Sequence, residues 1–273
     1  MQIYKSVEEL SSLTDNRVIG VENLTMQNSD IRFNGTGNIL VVEKGVKLVG
    51  SNIKFFASNS VIYLSSNSHN YMLDITVHNN SAVFIGKNNY FNGALHATVS
   101  EQKNLFIGDE GLFAFGIWIR TADAHLVYST QTKQRVNPSK SVFIGDHVWV
   151  GQDAFVLKGS QVASGSIIGA ASVCVGKHIN SNESWAGNPA RKICADVFWD
   201  ETCVHNFTDR EAAEHETFNS DKYIYSYSKE EYVSFDEIDK MLSSLKTAGE
   251  KLEYIKKLNS SKTKNRFVKI TEV

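Results

Sequence analysis

One histidine of this chain lies where a side chain could do chemistry, in a long segment that interrupts a regular repeat. His125 lies between Arg120 and Ser141, and Asp123 precedes it by two positions. An imidazole accepts and returns a proton near neutral pH, so a loop histidine is a candidate general base toward a hydroxyl group. The acidic neighbour could orient the loop or serve a turn. The alternative is a solvated loop histidine without a chemical role, which the residue types alone leave open.

Trp149, which follows His125 by 24 positions, is the second candidate. It takes the last position of a six-residue unit that begins at Ile144, and this position points outward if Ile144 points inward. An outward tryptophan is unfavourable unless something covers its ring. The ring therefore either lines a groove or is buried beneath the loop or the C-terminal segment.

A repeat of six residues must position both candidates. An aliphatic or small apolar residue stands at every sixth position of one run: Ile144, Val150, Val156, Val162, Ile168 and Cys174. Helices need apolar spacings of three and four and strands need two, so a period of six predicts short strands joined by tight corners. Three units form one coil of about 18 residues in a parallel β-helix. The stacked pairs are then Ile144 with Val162, Val150 with Ile168, and Val156 with Cys174.

The period is less regular before residue 120. Short apolar runs alternate with Gly, Ser and Asn corners from Ile39 to Ser65, and the inward positions continue at Val42, Leu48, Ile85, Phe91, Ile107, Phe113 and Ile119. We expect residues 1–38 to lead into or cap the first coil. Two breaks, at about 93–104 and from Arg120 to Ser141, are expected to bulge out of the coil stack.

The repeat ends at Gly187-Asn-Pro-Ala-Arg191, which holds one of the two prolines of the chain. We therefore assign residues 1–192 to a coil domain with the loop 120–141 inserted, and residues 193–273 to a C-terminal, mostly helical extension.

Two helices are expected in the extension. Asp209 to Phe218 predicts a short helix, and Ser234 with Glu237 forms a capping-box pattern ahead of a longer one. The longer helix has an apolar face that continues to Leu258 with a break near Gly249. This face is expected to pack on the coils or on a neighbouring chain.

Composition limits the class of protein. The formal charge is −2 and 42% of residues are hydrophobic, which suits an ordinary folded chain with a large core. The N-terminus has no apolar signal core, and no run reaches the roughly 20 apolar residues of a membrane span. We expect a cytoplasmic protein with no transmembrane segment and no nucleic-acid partner. Cys174, Cys194 and Cys203 lack metal-ligand spacing, so thiols rather than a metal site are expected.

The motifs, taken in order, resemble those of the hexapeptide-repeat acyltransferases. They are the period-six run, Asp123-x-His125, Ile144-Gly-x-x-Val-Trp149-Val-Gly, Ile168-Gly-Ala-Ala-Ser-Val and Gly187-Asn-Pro-Ala-Arg191, across roughly residues 40–195. Within that family the chain is similar to bacterial sugar O-acetyltransferases, and the interval from His125 to Trp149 is most similar to capsular polysialic acid O-acetyltransferases. The resemblance implies an all-β solenoid, a left-handed parallel β-helix, with acetyl-CoA as donor and a sugar hydroxyl as acceptor. Periodicity would not predict the left hand, because strand crossovers are nearly always right-handed.

The resemblance also implies roles for single residues. His125 matches the catalytic base of the family, and Trp149 matches an active-site tryptophan whose ring walls the pantetheine channel. Lys177 and Arg191 match cations near the CoA phosphates, although one extra residue between Ala170 and Arg191 departs from the pattern.

The remaining donor contacts follow from chemistry. Ala170 and Ser172 are small residues on a corner where a pantetheine arm could approach the backbone. The oxyanion needs donors, for which backbone N–H groups near Gly151 and Gln152 are candidates. Either predicted cation could instead be a solvated charge.

The acceptor is expected to be anionic. The loop 120–141 carries four cations against one acid, namely Arg120, Lys133, Arg135 and Lys140 against Asp123. A cationic rim beside the base favours an anionic sugar such as sialic acid. Asn92 falls where related enzymes place an acceptor-binding asparagine, although a turn asparagine is an equal alternative. Another sugar, in an O-antigen or a nucleotide-sugar precursor, is the alternative acceptor.

Two other classes were considered. Hexapeptide-repeat carbonic anhydrases use two histidines five residues apart, and no pair in this chain has that spacing. A non-catalytic β-solenoid that binds a partner has no need of a loop histidine or an outward tryptophan. The family resemblance also implies a homotrimer. We expect each site to take His125 and Asn92 from one chain and Trp149, Ala170, Lys177 and Arg191 from its neighbour.

Overall fold

In the computed structural model of the chain, which describes residues 1–260 and 263–270, short strands repeat as a parallel β-solenoid of about seven turns. The strands, in chain order, are β1 (Gln2–Tyr4), β2 (Arg17–Ile19), β3 (Thr25–Gln27), β4 (Asp30–Phe33), β5 (Ile39–Val42), β6 (Lys47–Val49), β7 (Asn52–Phe55), β8 (Val61–Leu64), β9 (Leu73–Val77), β10 (Ala82–Ile85), β11 (Tyr90–Phe91), β12 (Leu95–Val99), β13 (Asn104–Ile107), β14 (Leu112–Phe113), β15 (Trp118–Arg120), β16 (Val142–Ile144), β17 (Trp149–Val150), β18 (Phe155–Leu157), β19 (Gln161–Val162), β20 (Ile167–Ile168), β21 (Val173–Val175), β22 (His178–Ile179), β23 (Ser184–Ala186) and β24 (Arg191–Cys194). The helices are α1 (Asp209–Glu214), α2 (Phe235–Ser244) and α3 (Ala248–Ser260). Short 3₁₀ turns lie at Glu9–Ser12 and Val21–Asn23.

The strands stack into three faces. The first face contains β1, β4, β7, β9, β12, β15, β18 and β21, and the second contains β2, β5, β8, β10, β13, β16, β19 and β22. The third contains the pair β3 and β6 and the sheet of β11, β14, β17, β20, β23 and β24. We call the corners that follow the first, second and third faces corner I, corner II and corner III. In the later coils these are residues 158–160, 145–148 and 151–154.

The predicted stacking of the period-six run is confirmed. Ile144 pairs with Val162, Val150 with Ile168, and Val156 with Cys174. All six side chains are fully buried in the core of the solenoid. One apolar column therefore runs inside each face, and burial of these columns is the main stabilising contribution in this part of the chain.

The earlier coils are longer than six-residue units allow. Ile85 pairs with Ile107, 22 positions later, whereas Ile144 pairs with Val162, 18 positions later. The extra length lies partly in five-residue strands of the first face, whose residues alternate between buried and half-buried. The expectation that residues 93–104 bulge outward is therefore wrong, because Leu95–Val99 pairs with strands on both sides.

The N-terminal segment is itself a coil with a cap. β2, β3 and β4 pair in parallel with the strands of the next coil. β1 returns antiparallel along β4 and covers one end of the first face. Leu10 and Tyr4 are buried there. This cap blunts an open sheet edge that could otherwise pair with another chain.

The C-terminal helices pack on the second face of the same chain. Outward side chains of that face, including Tyr63, Phe84 and Phe143, form a second apolar core with Phe235, Ile238, Leu242, Leu252, Ile255 and Phe267. The Phe143 and Phe235 rings stack with centroids 5.3 Å apart. The sequence left two alternatives for the apolar face of the extension, the coils or a neighbouring chain, and in the structure it packs on the coils. The domain boundary near residue 192 stays a prediction.

The ends of the helices agree with most of the sequence signals. The hydroxyl of Ser234 accepts the N–H of Glu237 at 3.4 Å, which is half of the predicted capping box. Both halves are present at α1, where Thr208 and Glu211 cap each other. α2 ends at Ser244 and α3 begins at Ala248, so the break lies just before Gly249. No helix in residues 1–260 and 263–270 is long and apolar enough to cross a membrane.

Lys251 gives the stability of this attachment a pH dependence. Its side chain projects from α3, is fully buried, and donates through its ammonium group to the carbonyl of Asn80. Burial lowers the pKa of Lys251 from 10.5 to about 8. Between these two values the unfolded chain binds the proton and the folded chain does not, so stability rises with pH in that window. Relative to Lys251→Met, the wild type should gain about 3 kcal/mol between pH 8 and 10.5.

Urea unfolding of both proteins at pH 7.5, 9 and 10.5 measures this difference, and comparison with the variant cancels the other titrating groups. Equal pH slopes for wild type and Lys251→Met would show that the amine is solvated in the folded protein.

Candidate active site

The loop that carries His125 leaves corner I after β15 and returns at β16. Its backbone forms a small hairpin, with a bridge between Tyr128 and Arg135 and a hydrogen bond from the Val136 N–H to the Val127 carbonyl at 2.9 Å. Asn137 is buried and joins the two arms, because its amide donates to the His125 carbonyl at 2.8 Å and accepts the Val127 N–H at 2.9 Å. The hairpin is therefore held through backbone groups rather than through the His125 ring.

Asp123 anchors the loop. Its carboxylate accepts the ammonium group of Lys158 at 2.5 Å and the amide of Asn137 at 3.0 Å. These hydrogen bonds lower the pKa of Asp123, with Lys158 contributing most. Of the two roles considered from the sequence, the contacts support orienting the loop.

Arg135 is a second anchor. Its guanidinium forms a bidentate ion pair with Glu101, including one contact of 2.8 Å, and it also donates to the Asn137 carbonyl at 3.2 Å. Ser139 donates to the same carboxylate, and the guanidinium and hydroxyl together lower the pKa of Glu101 to about 2. Arg135 was predicted to bind the acceptor, but its donors are largely engaged within the protein.

The other predicted loop cations face solvent. Lys133 and Lys140 are exposed. Arg120 is exposed as well, and its guanidinium lies over the Trp118 ring, 5.3 Å from the ring centroid. Glu101 neutralises Arg135, and Lys158 neutralises Asp123. The three exposed cations, Arg120, Lys133 and Lys140, therefore make the rim of the loop positively charged.

The His125 ring is exposed beside a small apolar patch. Within the described residues it has no hydrogen-bond, ionic or ring partner. The patch consists of Leu126, Val127, Tyr128 and Val136, each of them 48–58% exposed. Apolar side chains concentrated on a protruding loop are typical of a surface that another molecule covers.

Trp149 opens β17 on the third face and points outward, as predicted. Its ring is 40% exposed and its backbone pairs with Leu112 below and Ile167 above. The ring of Trp199, from the C-terminal segment, lies 6.2 Å away at 49°. The alternative of full burial beneath the loop or the tail is excluded, because one side of the indole stays open.

The predicted donor residues at corner III have different surroundings. Gln152 and Ala170 are exposed, and their backbone N–H groups have no acceptor within the part of the chain that the structure describes. Ser172 is fully buried, and its hydroxyl accepts the N–H of Gly187 at 3.1 Å. The side chain of Ser172 is therefore structural. A Cβ on Gly151 would lie 2.6 Å from the Ala170 nitrogen, so stacking alone already requires glycine there.

Asn92, Lys177 and Arg191 lie at three different places. Asn92 is exposed on corner III, three coils below Ala170, and its N–H donates to the Phe113 carbonyl of the adjacent coil. Lys177 is half-buried at corner I, between β21 and β22. Arg191 is exposed at the start of β24, which runs antiparallel to β23 on the third face. The sequence grouped Lys177 with Arg191 and Asn92 with His125, and the structure separates both pairs.

No protein-family model matches the chain. The sequence is 27% identical over 145 residues to a polysialic acid O-acetyltransferase of Neisseria meningitidis, covering 53% of this chain and 67% of that protein. It is 32% identical over 91 residues to a polysialic acid O-acetyltransferase of Escherichia coli O1:K1 / APEC, covering 33% of this chain and 29% of that protein. The fold is similar to the crystal structure of the polySia-specific acetyltransferase NeuO, with a TM-score of 0.61, 28% identity and coverage of 74% and 95% of the two chains. The chain is an acyltransferase that resembles the hexapeptide-repeat family in sequence and in fold.

The structure confirms the fold class that the family resemblance implied. It is a left-handed parallel β-helix with a protruding loop and C-terminal helices. No three His, Cys, Asp or Glu side chains in residues 1–260 and 263–270 are grouped to hold a metal ion.

The candidate residues of this acyltransferase form two groups on opposite sides of the coil. The His125 loop is tied to corner I by its ion pairs with Lys158 and Glu101. The group formed by Trp149, Gln152 and Ala170 lies on the third face and at corner III. Corner I is the vertex opposite the third face, and one side of about six residues spans roughly 20 Å. A single chain therefore does not bring the predicted base and the predicted donor groove together.

The sequence did not identify three residues that shape this site. Lys158 and Asn137 hold the loop, and Trp199 contacts Trp149. β18 stacks directly on β15, so Lys158, just after β18, lies at the same corner from which the loop leaves after β15. The repeat register alone could therefore have predicted that Lys158 lies next to the loop. Trp199 carried none, since it lies beyond the repeat.

Proposed function

We propose that this acyltransferase moves an acetyl group from acetyl-CoA to a hydroxyl of sialic acid in a capsular polysaccharide. One observation carries the proposal: a loop histidine and an outward tryptophan occur together on a solenoid similar to polysialic acid O-acetyltransferases. The cationic rim around the loop supports an anionic acceptor.

His125 is the general base in this proposal. It accepts the proton of the sugar hydroxyl while the hydroxyl oxygen bonds to the thioester carbonyl carbon. The carbon–sulfur bond then breaks, and the imidazolium returns the proton to the sulfur, so the histidine ends unchanged. Asp123 holds the loop that carries the base, since Lys158 and Asn137 bind its carboxylate.

The third face and corner III supply the donor groove. The indole of Trp149 forms a flat wall, and small residues such as Ala170 leave space for a chain beside the backbone. The Gly151 N–H donates to the Ile168 carbonyl at 2.7 Å and is therefore engaged. The Gln152 N–H has no acceptor in the described residues, so it is the better candidate for stabilising the oxyanion. Arg191 is exposed on the same face, and in this proposal its guanidinium binds a phosphate of the donor.

We further propose a homotrimer whose three sites lie between chains. Two features support it: the opposite positions of His125 and Trp149, and the exposed apolar patch beside His125 that a neighbouring face would cover. His125 and Lys177 then come from one chain, and Trp149, Asn92 and Ala170 come from the next.

Incubation with acetyl-CoA labelled in the acetyl group tests the proposal. The acceptors are polysialic acid, monomeric sialic acid, a neutral glucan and a nucleotide-sugar mixture. We expect label in polysialic acid that mild base releases, as for an ester. Label confined to another sugar would replace the acceptor. Binding of polysialic acid without transfer would favour the non-catalytic solenoid.

Ionic strength should change the apparent affinity for the acceptor. Raising NaCl from about 20 to about 300 mM shortens the Debye length and so screens the attraction between the loop cations and the acceptor. We expect the KM for polysialic acid to increase about 3- to 10-fold. Lys133→Gln should raise KM at low salt and reduce this salt dependence. The KM for acetyl-CoA is measured in parallel, because the donor is also an anion. An acceptor KM that does not respond to salt would remove the electrostatic argument.

A further inference from the structure

The C-terminal extension, residues 193–273, packs on corner II directly beside Trp149. The His147 ring is sandwiched between Trp199, at 4.0 Å and 2°, and Tyr223, at 4.2 Å and 3°. The Trp199 indole donates to the His147 carbonyl at 3.0 Å, and His147 Nε2 lies 3.1 Å from the Trp199 carbonyl, to which it donates. His147 and Trp199 are 3% and 7% exposed. Both rings are therefore buried, and the two hydrogen bonds tie the residues to each other in both directions.

The same segment also holds the residue before His147. Arg266 is buried and donates to Asp146 at 2.7 and 2.8 Å and to Asp109 at 2.8 Å. The backbone of His147 has φ of 51°, a conformation that an ordinary side chain adopts at some cost. Two buried contacts from the C-terminal segment therefore fix the corner from which β17 begins.

Trp199 is the link between this corner and the donor groove. Its ring stacks on His147 and also lies 6.2 Å from the ring of Trp149, tilted by 49°. Within residues 1–260 and 263–270, Trp199 is the ring neighbour of Trp149, and Trp149 as a whole is 40% exposed. Removal of Trp199 would take away this ring contact and allow Trp149 more of its rotamers.

We propose that Trp199 is a positioning residue for Trp149, so that the C-terminal segment forms the back wall of the donor groove. The inference rests on the proposed role of Trp149 in acyl transfer. Trp199 touches no reacting atom; it holds the indole of Trp149 in one orientation before the donor binds. This preorganisation lowers the ordering cost of binding and catalysis.

Kinetics of Trp199→Leu and Trp199→Phe test the inference. Trp199→Leu should raise the KM for acetyl-CoA about 3- to 10-fold and lower kcat, while Trp199→Phe keeps a ring against His147 and should restore most of both. Leu242→Ala, in α2 on the second face, is the matched control because it weakens the C-terminal extension far from Trp149. It should lower Tm without changing kinetics. Wild-type kcat and KM in Trp199→Leu would overturn the inference.

Fluorescence supplies a readout that does not depend on activity. The chain has four tryptophans, so with Trp118 and Trp185 changed to Phe, both Trp199 variants keep Trp149 as the sole tryptophan. We expect acrylamide to quench Trp149 at least about twofold more strongly in Trp199→Leu than in Trp199→Phe. Equal quenching would overturn the inference. If the wild type transferred no acetyl group, the proposed function would fail, while the quenching comparison would still judge the role of Trp199.

Discussion

Alanine in place of His125 is expected to lower kcat by about 10²–10⁴ without loss of fold or of acetyl-CoA affinity. The fold should survive because Asn137 binds the backbone carbonyl of His125, and the ring has no partner among the described residues. Donor affinity should survive because the proposed groove lies on the third face, away from corner I.

Steady-state kinetics, a thermal melt and acetyl-CoA binding measure these three properties. His205→Ala is the control, since His205 is an exposed histidine of the C-terminal extension. Turnover of His125→Ala within about threefold of the wild type would eliminate the residue as the base. A melt lowered as strongly as turnover would point to a structural role instead.

The later coils were predictable because each hexad repeats the same physical requirement. Inward positions such as Ile144 and Val162 must be apolar to fill the core, and stacking fixes their register at one coil. The earlier coils were less predictable because a side can lengthen without leaving the sheet. Leu95–Val99 alternates buried and half-buried residues like an ordinary strand, so a search for period six interprets it as an interruption.

The sequence contained a signal for where the C-terminal helices pack, but the search for a six-residue period obscured it. β5, β8 and β10 are buried at every residue, which requires an apolar cover on the outside of the second face. The runs Ile39–Val42 and Val61–Leu64 are continuous apolar segments for this reason. By contrast, no local pattern could predict that Arg266 pairs with Asp146, 120 positions earlier.

The candidate site was predictable in its parts and not in its arrangement. The spacing of His125 and Trp149 indicated two roles, and exposure of both residues agrees with them. The relative placement depends on which corner each residue follows, and coil lengths of both 18 and 22 residues obscure that count. For this reason the sequence did not predict that Lys177 lies at corner I and Asn92 at corner III.

Two inactive variants are expected to restore activity when they assemble together. His125→Ala and Trp149→Ala should each lower turnover by at least about 10² alone. In a shared site, a chain that keeps His125 can face a neighbour that keeps Trp149. For random 1:1 trimers, about a quarter of the interfaces have this order, so activity should recover to about a quarter of the wild type.

The recovery depends on geometry rather than on dosage. Because corner I lies opposite the third face, a shared site requires corner I of one chain to meet the third face of the next, and this contact has one direction around a ring of three chains. Co-refolding of the two variants measures the recovery. Mixing them after separate refolding, followed by an immediate assay, is the control in which the two kinds of chain have not assembled together. A second control is the double variant, His125→Ala with Trp149→Ala, co-refolded with wild type. This mixture contains intact His125 and intact Trp149 in the same proportions as the mixture of single variants. Co-refolded single variants that stay as inactive as their parents would place each site within one chain and exclude the shared arrangement.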